Sequence, residues 1–177
     1  MRLFIGFDAS SEAKEEIIQA QKSLKDSKLN LAKDFHLTLK FLGEVKESKV
    51  DEIGKKLEDV GFESFEAELD SIGVFPGEDY IKVVWVGLEP KYEITQLQKS
   101  IENALEGLFP KDDRFHPHIT IARVKFINDK KQFKDDLKAI QIRRVKFMVD
   151  RFKLIKSVLG PQGPLYEVIK ELKARNM

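Results

Sequence analysis

Two stretches of the chain repeat one short pattern, and that repetition constrains the fold more than any other feature. The first is Phe35-His36-Leu37-Thr38-Leu39-Lys40-Phe41-Leu42-Gly43. The second is Phe115-His116-Pro117-His118-Ile119-Thr120-Ile121-Ala122-Arg123. Each carries His-x-Thr-x with apolar residues at the x positions. Side chains two apart in a strand share a face. His36 and Thr38 therefore face one way while Leu37 and Leu39 enter a core. His118 and Thr120 stand opposite Ile119 and Ile121 in the same manner. The chain has three histidines in all, so finding two of them in one setting is a specific signal.

The rest of the chain reads as two similar halves built around these strands. Arg2 to Asp8 is a nearly continuous apolar run and predicts a buried strand. Ser10 or Ser11 caps a helix whose Ala13, Ile17, Ala20 and Leu24 recur at helical spacing. After the first His-x-Thr strand, Val50, Ile53, Leu57 and Val60 mark a second helix, with Gly61 expected as its C-cap. Phe62 to Phe75 is expected to be extended, and Pro76-Gly77 to turn. The second half begins with a buried strand over 82–88, in which Trp85 reads as a core residue between Val84 and Val86. A helix with Ile94, Leu97, Ile101, Leu105 and Leu108 follows, broken by Pro110. After the second His-x-Thr strand come a short helix around Phe133 and Leu137, a long strand from Ile142 to Val158, and a last strand over 165–172. The expectation is an α+β protein: a single two-lobed domain over 1–177, in which antiparallel sheets with outer helices are duplicated about a pseudo-twofold. If the two His-x-Thr strands flank that axis, their polar faces line one groove.

Composition narrows the function. A formal net charge of +1 gives no global attraction to nucleic acid, so a polyanion site must be a local concentration of Lys and Arg. With no cysteine, disulfides, thiol nucleophiles and Cys-ligated metals are excluded. The apolar run Leu3 to Phe7 is too short for a signal-peptide core or a membrane span. A cytoplasmic location and no membrane partner are therefore expected.

Two imidazoles across a groove can divide general acid and general base work, since histidine takes either form near neutrality. In-line cleavage of a P–O bond needs a proton removed from the nucleophile and another given to the leaving oxygen. The threonine hydroxyls, about 6–7 Å along the strand from each histidine, can donate to non-bridging phosphate oxygens. His116-x-His118 with Asp112 or Asp113 would be an alternative metal cluster. It would leave His36 and Thr38 unexplained, so no metal and no cofactor are expected.

The chain resembles the two-histidine (2H) phosphoesterase superfamily, and within it the RNA 2′,3′-cyclic phosphodiesterases, also called 2′-5′ RNA ligases. The resemblance rests on Arg2-Leu3-Phe4-Ile5, the block His36 to Glu44, and Val84-Trp85-Val86-Gly87-Leu88. It continues through Pro117-His118-Ile119-Thr120-Ile121-Ala122-Arg123-Val124 and the terminal Gly163-Pro164-x-Tyr166. It implies that His36 and His118 are the catalytic pair, that Thr38 and Thr120 hold the phosphate, and that Arg123 contacts it. The implied reaction opens a 2′,3′-cyclic phosphate on RNA to leave a 2′-phosphate, with reversible 2′-5′ ligation by the same residues. The implied partner is RNA with such an end, tRNA fragments among the candidates, met by a monomer. A small cyclic nucleotide as substrate, or an RNA-end binding module without turnover, are the alternatives.

Other positions follow from alternation. Arg123 should point away from His118 unless the strand ends or bulges near Ala122. Lys40 lies on the His36 face, either against the RNA backbone or as a solvated lysine. Arg114 carries a phosphate or sits on the surface. Pro117 marks the entry of the second strand, which leaves His116 outside the catalytic set. Phe35, Phe75, Tyr80 and Phe115 are the aromatic candidates to stack on the terminal base.

Overall fold

The structure is a computed structural model that describes residues 1–25 and 27–176. The first half contributes β1 (Arg2–Asp8), α1 (Ser11–Gln21), β2 (Ser27–Leu31), β3 (His36–Glu44), α2 (Val50–Glu58) and β4 (Phe65–Gly77). The second contributes β5 (Tyr80–Glu89), α3 (Lys91–Ala104), β6 (His118–Ile127), α4 (Lys130–Ala139), β7 (Lys146–Val149), β8 (Arg151–Gly160) and β9 (Gly163–Lys173).

The strands hydrogen-bond in the order β7-β4-β5-β6-β3-β1-β8-β9, with β2 added along β6. That order is a palindrome about its centre. β6 answers β3, β5 answers β1, and each half sends its next strand across to the other half's leaf: β4 pairs with β5, and β8 pairs with β1. The pseudo-twofold expected from the repeated motifs is thus present in the topology. All the pairings are antiparallel, and the two leaves meet at one residue pair, Leu37 with Ile119.

One face of the sheet packs on the helices. Leu3, Ile5 and Phe7 of β1, Leu37 and Leu39 of β3, and Ile119 and Ile121 of β6 join Ala13, Ile17, Ile53, Leu57, Ile94, Leu97 and Ile101 in one core. Each buried Leu, Ile or Phe among them stabilises by roughly 1.5–3 kcal/mol, which is what holds the alternation in register. Ser10 caps α1 by accepting from the Ala13 N–H at 3.2 Å. No helix among the described residues is long and apolar enough to cross a membrane.

The structure departs from the sequence reading in several places. α2 ends at Glu58, so Gly61 is not its C-cap. A side chain at Gly61 would meet the guanidinium of Arg175, which runs against its backbone. β4 continues through Pro76 and Gly77, so the turn falls at Glu78-Asp79. The expected long strand over 142–158 is two strands, because β7 pairs with β4 in one leaf and β8 with β1 in the other. β2 was not expected at all. Its sequence Ser-Lys-Leu-Asn-Leu is short and largely exposed, and pairing with β6 is what makes it a strand.

Candidate active site

The pair Leu37–Ile119 puts both side chains into the core. The residues on either side of them, His36 and Thr38 on β3 and His118 and Thr120 on β6, turn to the opposite face. Continuing the antiparallel register by one residue sets His36 across from Thr120 and Thr38 across from His118. All four are half-buried. The two motifs therefore converge on one groove, at the seam where the leaves meet.

Each histidine has its own surroundings. The His118 Nδ1 lies 2.6 Å from the carbonyl of His116. Nδ1–H donates to that oxygen, which leaves Nε2 as the free lone pair. Phe75 meets the His118 ring edge-on at 4.9 Å, and Trp85 stands 6.0 Å away. Burial holds the His118 imidazole below its ordinary value; the bond to His116 opposes this, and the charges of His116 and Arg123 reinforce it. The His36 ring is held by aromatics instead. Phe4 stacks on it at 4.8 Å and Tyr166 meets it edge-on at 5.1 Å. Burial also lowers the His36 pKa, but Asp8 and Asp34 push it back up while Lys14 adds to the lowering. Asp8 is shared with Lys153, whose Nζ donates to it at 2.6 Å.

Both motif strands carry a β-bulge at the same place. Against β1, Ile5 pairs with Lys40 and Gly6 with Thr38, so Leu39 is the extra residue of β3. Against β5, Val84 pairs with Ala122 and Trp85 with Thr120, so Ile121 is the extra residue of β6. A bulge inverts the alternation beyond it. Arg123 is thereby brought onto the groove face and is exposed there. Its charge acts on His118 and on the Tyr166 hydroxyl, which come from opposite leaves. The carbonyl of the bulged Ile121 accepts from the Gln21 side chain at 2.8 Å and from the Ala32 N–H at 2.9 Å.

The same bulge overturns the expectation for Lys40. It is 4% exposed, on the core side, with Nζ 2.8 Å from both carboxylate oxygens of Glu102 on α3 and 2.8 Å from the carbonyl of Pro110. Gln98 also donates to Glu102, at 3.0 Å. Lys40 is therefore no RNA contact but a brace from β3 to α3 and to the loop that feeds β6. Phe41 takes the groove face in its place, 68% exposed and 6.2 Å from Phe4.

Arg114 remains exposed on the loop before β6, where its backbone N–H donates to Asp112 at 2.9 Å. Trp85 is not a core residue. Strand alternation around Val84 and Val86 places its indole on the groove face, 4.7 Å from His116 and 5.0 Å from Phe75. A side chain on Gly73 would collide with that indole. Applied residue by residue, alternation contained this signal. Among the expected base-stacking aromatics, Phe35 is in the core and Phe115 packs against it. Phe75 faces the groove beside His118, and Tyr80 is exposed at the start of β5. Phe4, Phe41 and Tyr166 were not singled out as site residues by the sequence reading. Among the described residues, no group of three or more His, Cys, Asp or Glu stands together to hold a metal ion.

A duplicated antiparallel sheet with one His-x-Thr strand from each half on a shared groove defines a two-histidine phosphoesterase site. The chain belongs to the 2′-5′ RNA ligase superfamily, whose model matches residues 9–161. It is 41% identical to the RNA 2′,3′-cyclic phosphodiesterase of Methanocaldococcus jannaschii, with 97% of this chain and 99% of that protein covered. It is 34% identical to the protein of the same name from Thermotoga maritima, over 97% and 94% of the two chains. Among solved structures it is similar to Escherichia coli LigT complexed with 3′-AMP, with a TM-score of 0.77, 26% identity and 98% of each chain covered.

Proposed function

We propose that this protein hydrolyses 2′,3′-cyclic phosphate ends of RNA to 2′-phosphates by metal-independent acid–base catalysis, with His36 and His118 as the catalytic pair. The carrying observation is the convergence of His36, Thr38, His118 and Thr120 on one groove across the Leu37–Ile119 pair. In this reading the threonine hydroxyls and Arg123 hold the non-bridging oxygens. The whole chain is one two-lobed catalytic domain, acting as a monomer in the cytoplasm, with tRNA fragments as one source of such ends. 2′-5′ ligation is the same ring opening with an RNA 5′-hydroxyl in place of water as the nucleophile, the 3′-oxygen leaving in both.

The two environments support a division of labour. The tautomer set by the His116 carbonyl gives His118 a free Nε2 lone pair, and burial, reinforced by the positive charge of Arg123, disfavours its protonation. That suits a base that takes the proton from water. Burial lowers the His36 pKa, but Asp8 and Asp34 oppose it and favour the protonated form, which suits the acid that protonates the leaving 3′-oxygen. Incubation of a short RNA ending in a 2′,3′-cyclic phosphate, after dialysis against a strong chelator, tests the reading. A 2′-phosphate product at an undiminished rate is expected. Loss of activity restored by zinc or manganese would refute metal independence, and a 3′-phosphate product would refute the regiochemistry.

A further inference from the structure

β6 continues beyond Arg123 to Ile127. A second irregularity follows: Leu29 pairs with Val124 and Lys28 with Phe126, so Lys125 is extra relative to β2. Lys125 and Phe126 are both exposed as a result. They open onto a recess of about 220 Å³ where the far end of β6 meets β5 and α4, which Tyr80, Lys82, Lys130 and Lys134 also line, together with Glu78 and Asp79. Tyr80 is 62% exposed and Phe126 58%. The Lys82 ammonium sits over the Tyr80 ring, 4.7 Å from its centre. Lys134 is partly engaged by Asp79 at 3.7 Å, which leaves Lys82, Lys125 and Lys130 as the cations that face outward. The mechanism described above uses none of these residues.

Two exposed aromatics among lysines in a concave surface are the components of a single-stranded nucleic-acid subsite. Base faces stack on the rings and phosphates meet the ammonium groups, without dependence on sequence. Six residues of strand separate Thr120 from Phe126, or about 20 Å. The base of the reacting nucleotide does not span that distance, but the chain behind it does. Arg123 lies between the two places along β6, so one cation stands part-way from the phosphate position to the recess.

We propose that this recess is a second RNA subsite. It takes a nucleotide upstream of the reacting end, with its base against Tyr80 and Phe126 and the neighbouring phosphates on Lys82, Lys125 and Lys130. The proposal rests on the reading of the groove as the site for an RNA cyclic phosphate end. Its consequence is a preference for long RNA over mononucleotide and dinucleotide substrates.

The test compares a dinucleotide and an octanucleotide with the same 2′,3′-cyclic phosphate end, using wild type, the Tyr80→Ala/Phe126→Ala variant and the Lys82→Ala/Lys125→Ala/Lys130→Ala variant. Wild type should show a KM about tenfold lower for the octanucleotide. Both variants should lose that advantage and keep the wild-type kcat/KM on the dinucleotide. In the lysine variant, the dependence of log affinity on log salt should flatten by about 0.7 per lysine removed. Equal KM values for both lengths in wild type, or variants that retain the length advantage, overturn the proposal. Fluorescence anisotropy of a labelled octanucleotide ending in a hydroxyl reads the recess without turnover. If wild type hydrolysed neither substrate, the groove reading would fail, while weaker binding by the variants would still support the subsite and unchanged binding would dismiss it.

Discussion

Phe41 and Arg123 occupy equivalent places about the pseudo-twofold. Each follows its motif histidine by the same interval (36 to 41 and 118 to 123), and each is turned onto the groove by a bulge at the corresponding residue, Leu39 or Ile121. The duplication thus supplies symmetric histidines and threonines, and this one position makes the groove asymmetric. One side gains an exposed aromatic ring and the other a guanidinium. A cyclic phosphate on a nucleoside is itself asymmetric, with an anionic group at one end and a base at the other.

Arg123→Ala is expected to lower kcat/KM by roughly 10²-fold or more, the scale seen when one preorganised donor to a developing oxyanion is removed. Arg123→Lys should recover only part of this, because an ammonium keeps the charge and loses the planar fork. Steady-state kinetics on a dinucleotide cyclic phosphate reads both. Full activity in Arg123→Ala would remove Arg123 from the phosphate site.

Replacing Lys40 should cost stability and not substrate affinity. Removing one partner of a buried ion pair leaves the other charge uncompensated, at about 3–5 kcal/mol. Lys40→Met alone should therefore melt well below wild type in a thermal scan. Lys40→Met with Glu102→Leu should recover much of the loss, since an apolar pair of similar volume carries no desolvation penalty. A raised KM with unchanged melting would instead mean that Lys40 reaches the substrate.

Gln21 is expected to matter at a distance. Its side chain bridges the carbonyls of Ala32 and Ile121 at 2.8 Å each, from a position that is 7% exposed. Gln21→Leu leaves buried carbonyl capacity unused, at about 1–3 kcal/mol, and loosens the bulge that presents Arg123. Lower stability together with a loss in kcat/KM on cyclic phosphate is the expected outcome. An unaltered rate would show that the Ala32 N–H alone holds the bulge.

The pH profile of kcat/KM should be a bell on the acid side of neutrality. Catalysis needs His118 neutral and His36 protonated, and burial lowers both pKa values from 6.5, so both limbs lie below the position two unperturbed histidines would give. Asp8 and Asp34 raise the His36 pKa while Lys14 lowers it. Asp34→Asn should therefore move the alkaline limb to lower pH, and Lys14→Ala should move it to higher pH. The same depression bears on stability. Below about pH 6.5 the unfolded chain takes up protons that the buried imidazoles resist, so stability should fall as pH drops. A limb that ignores Asp34→Asn would argue against His36 as the acid.

A substrate whose 3′-oxygen is replaced by sulfur needs little help from an acid to release its leaving group. It should rescue His36→Ala and leave His118→Ala inactive. Rescue of His118→Ala instead would reverse the assignment of acid and base, and near-wild-type rates in both variants on the ordinary substrate would end the two-histidine mechanism.

The sequence by itself determined most of the strands and helices in their order, the duplication, and the four motif residues that share the groove. The reason is local. Alternation of apolar and polar side chains is a property of consecutive residues, and the core enforces it wherever Leu37, Leu39, Ile119 and Ile121 must be buried. Only the tertiary structure decided what lies beyond each bulge. A single extra residue exchanges the two faces, so Lys40 went to Glu102, Arg123 and Phe41 came to the groove, and simple counting placed Lys40 and Arg123 on the wrong sides. The partner strands also decided where 142–158 divides and made a strand of 27–31, since both depend on which distant backbone offers hydrogen bonds. Phe4 and Tyr166 meet His36 for the same reason: they stand on different strands, and the palindromic pairing of β1, β8 and β9 is what brings them to one ring.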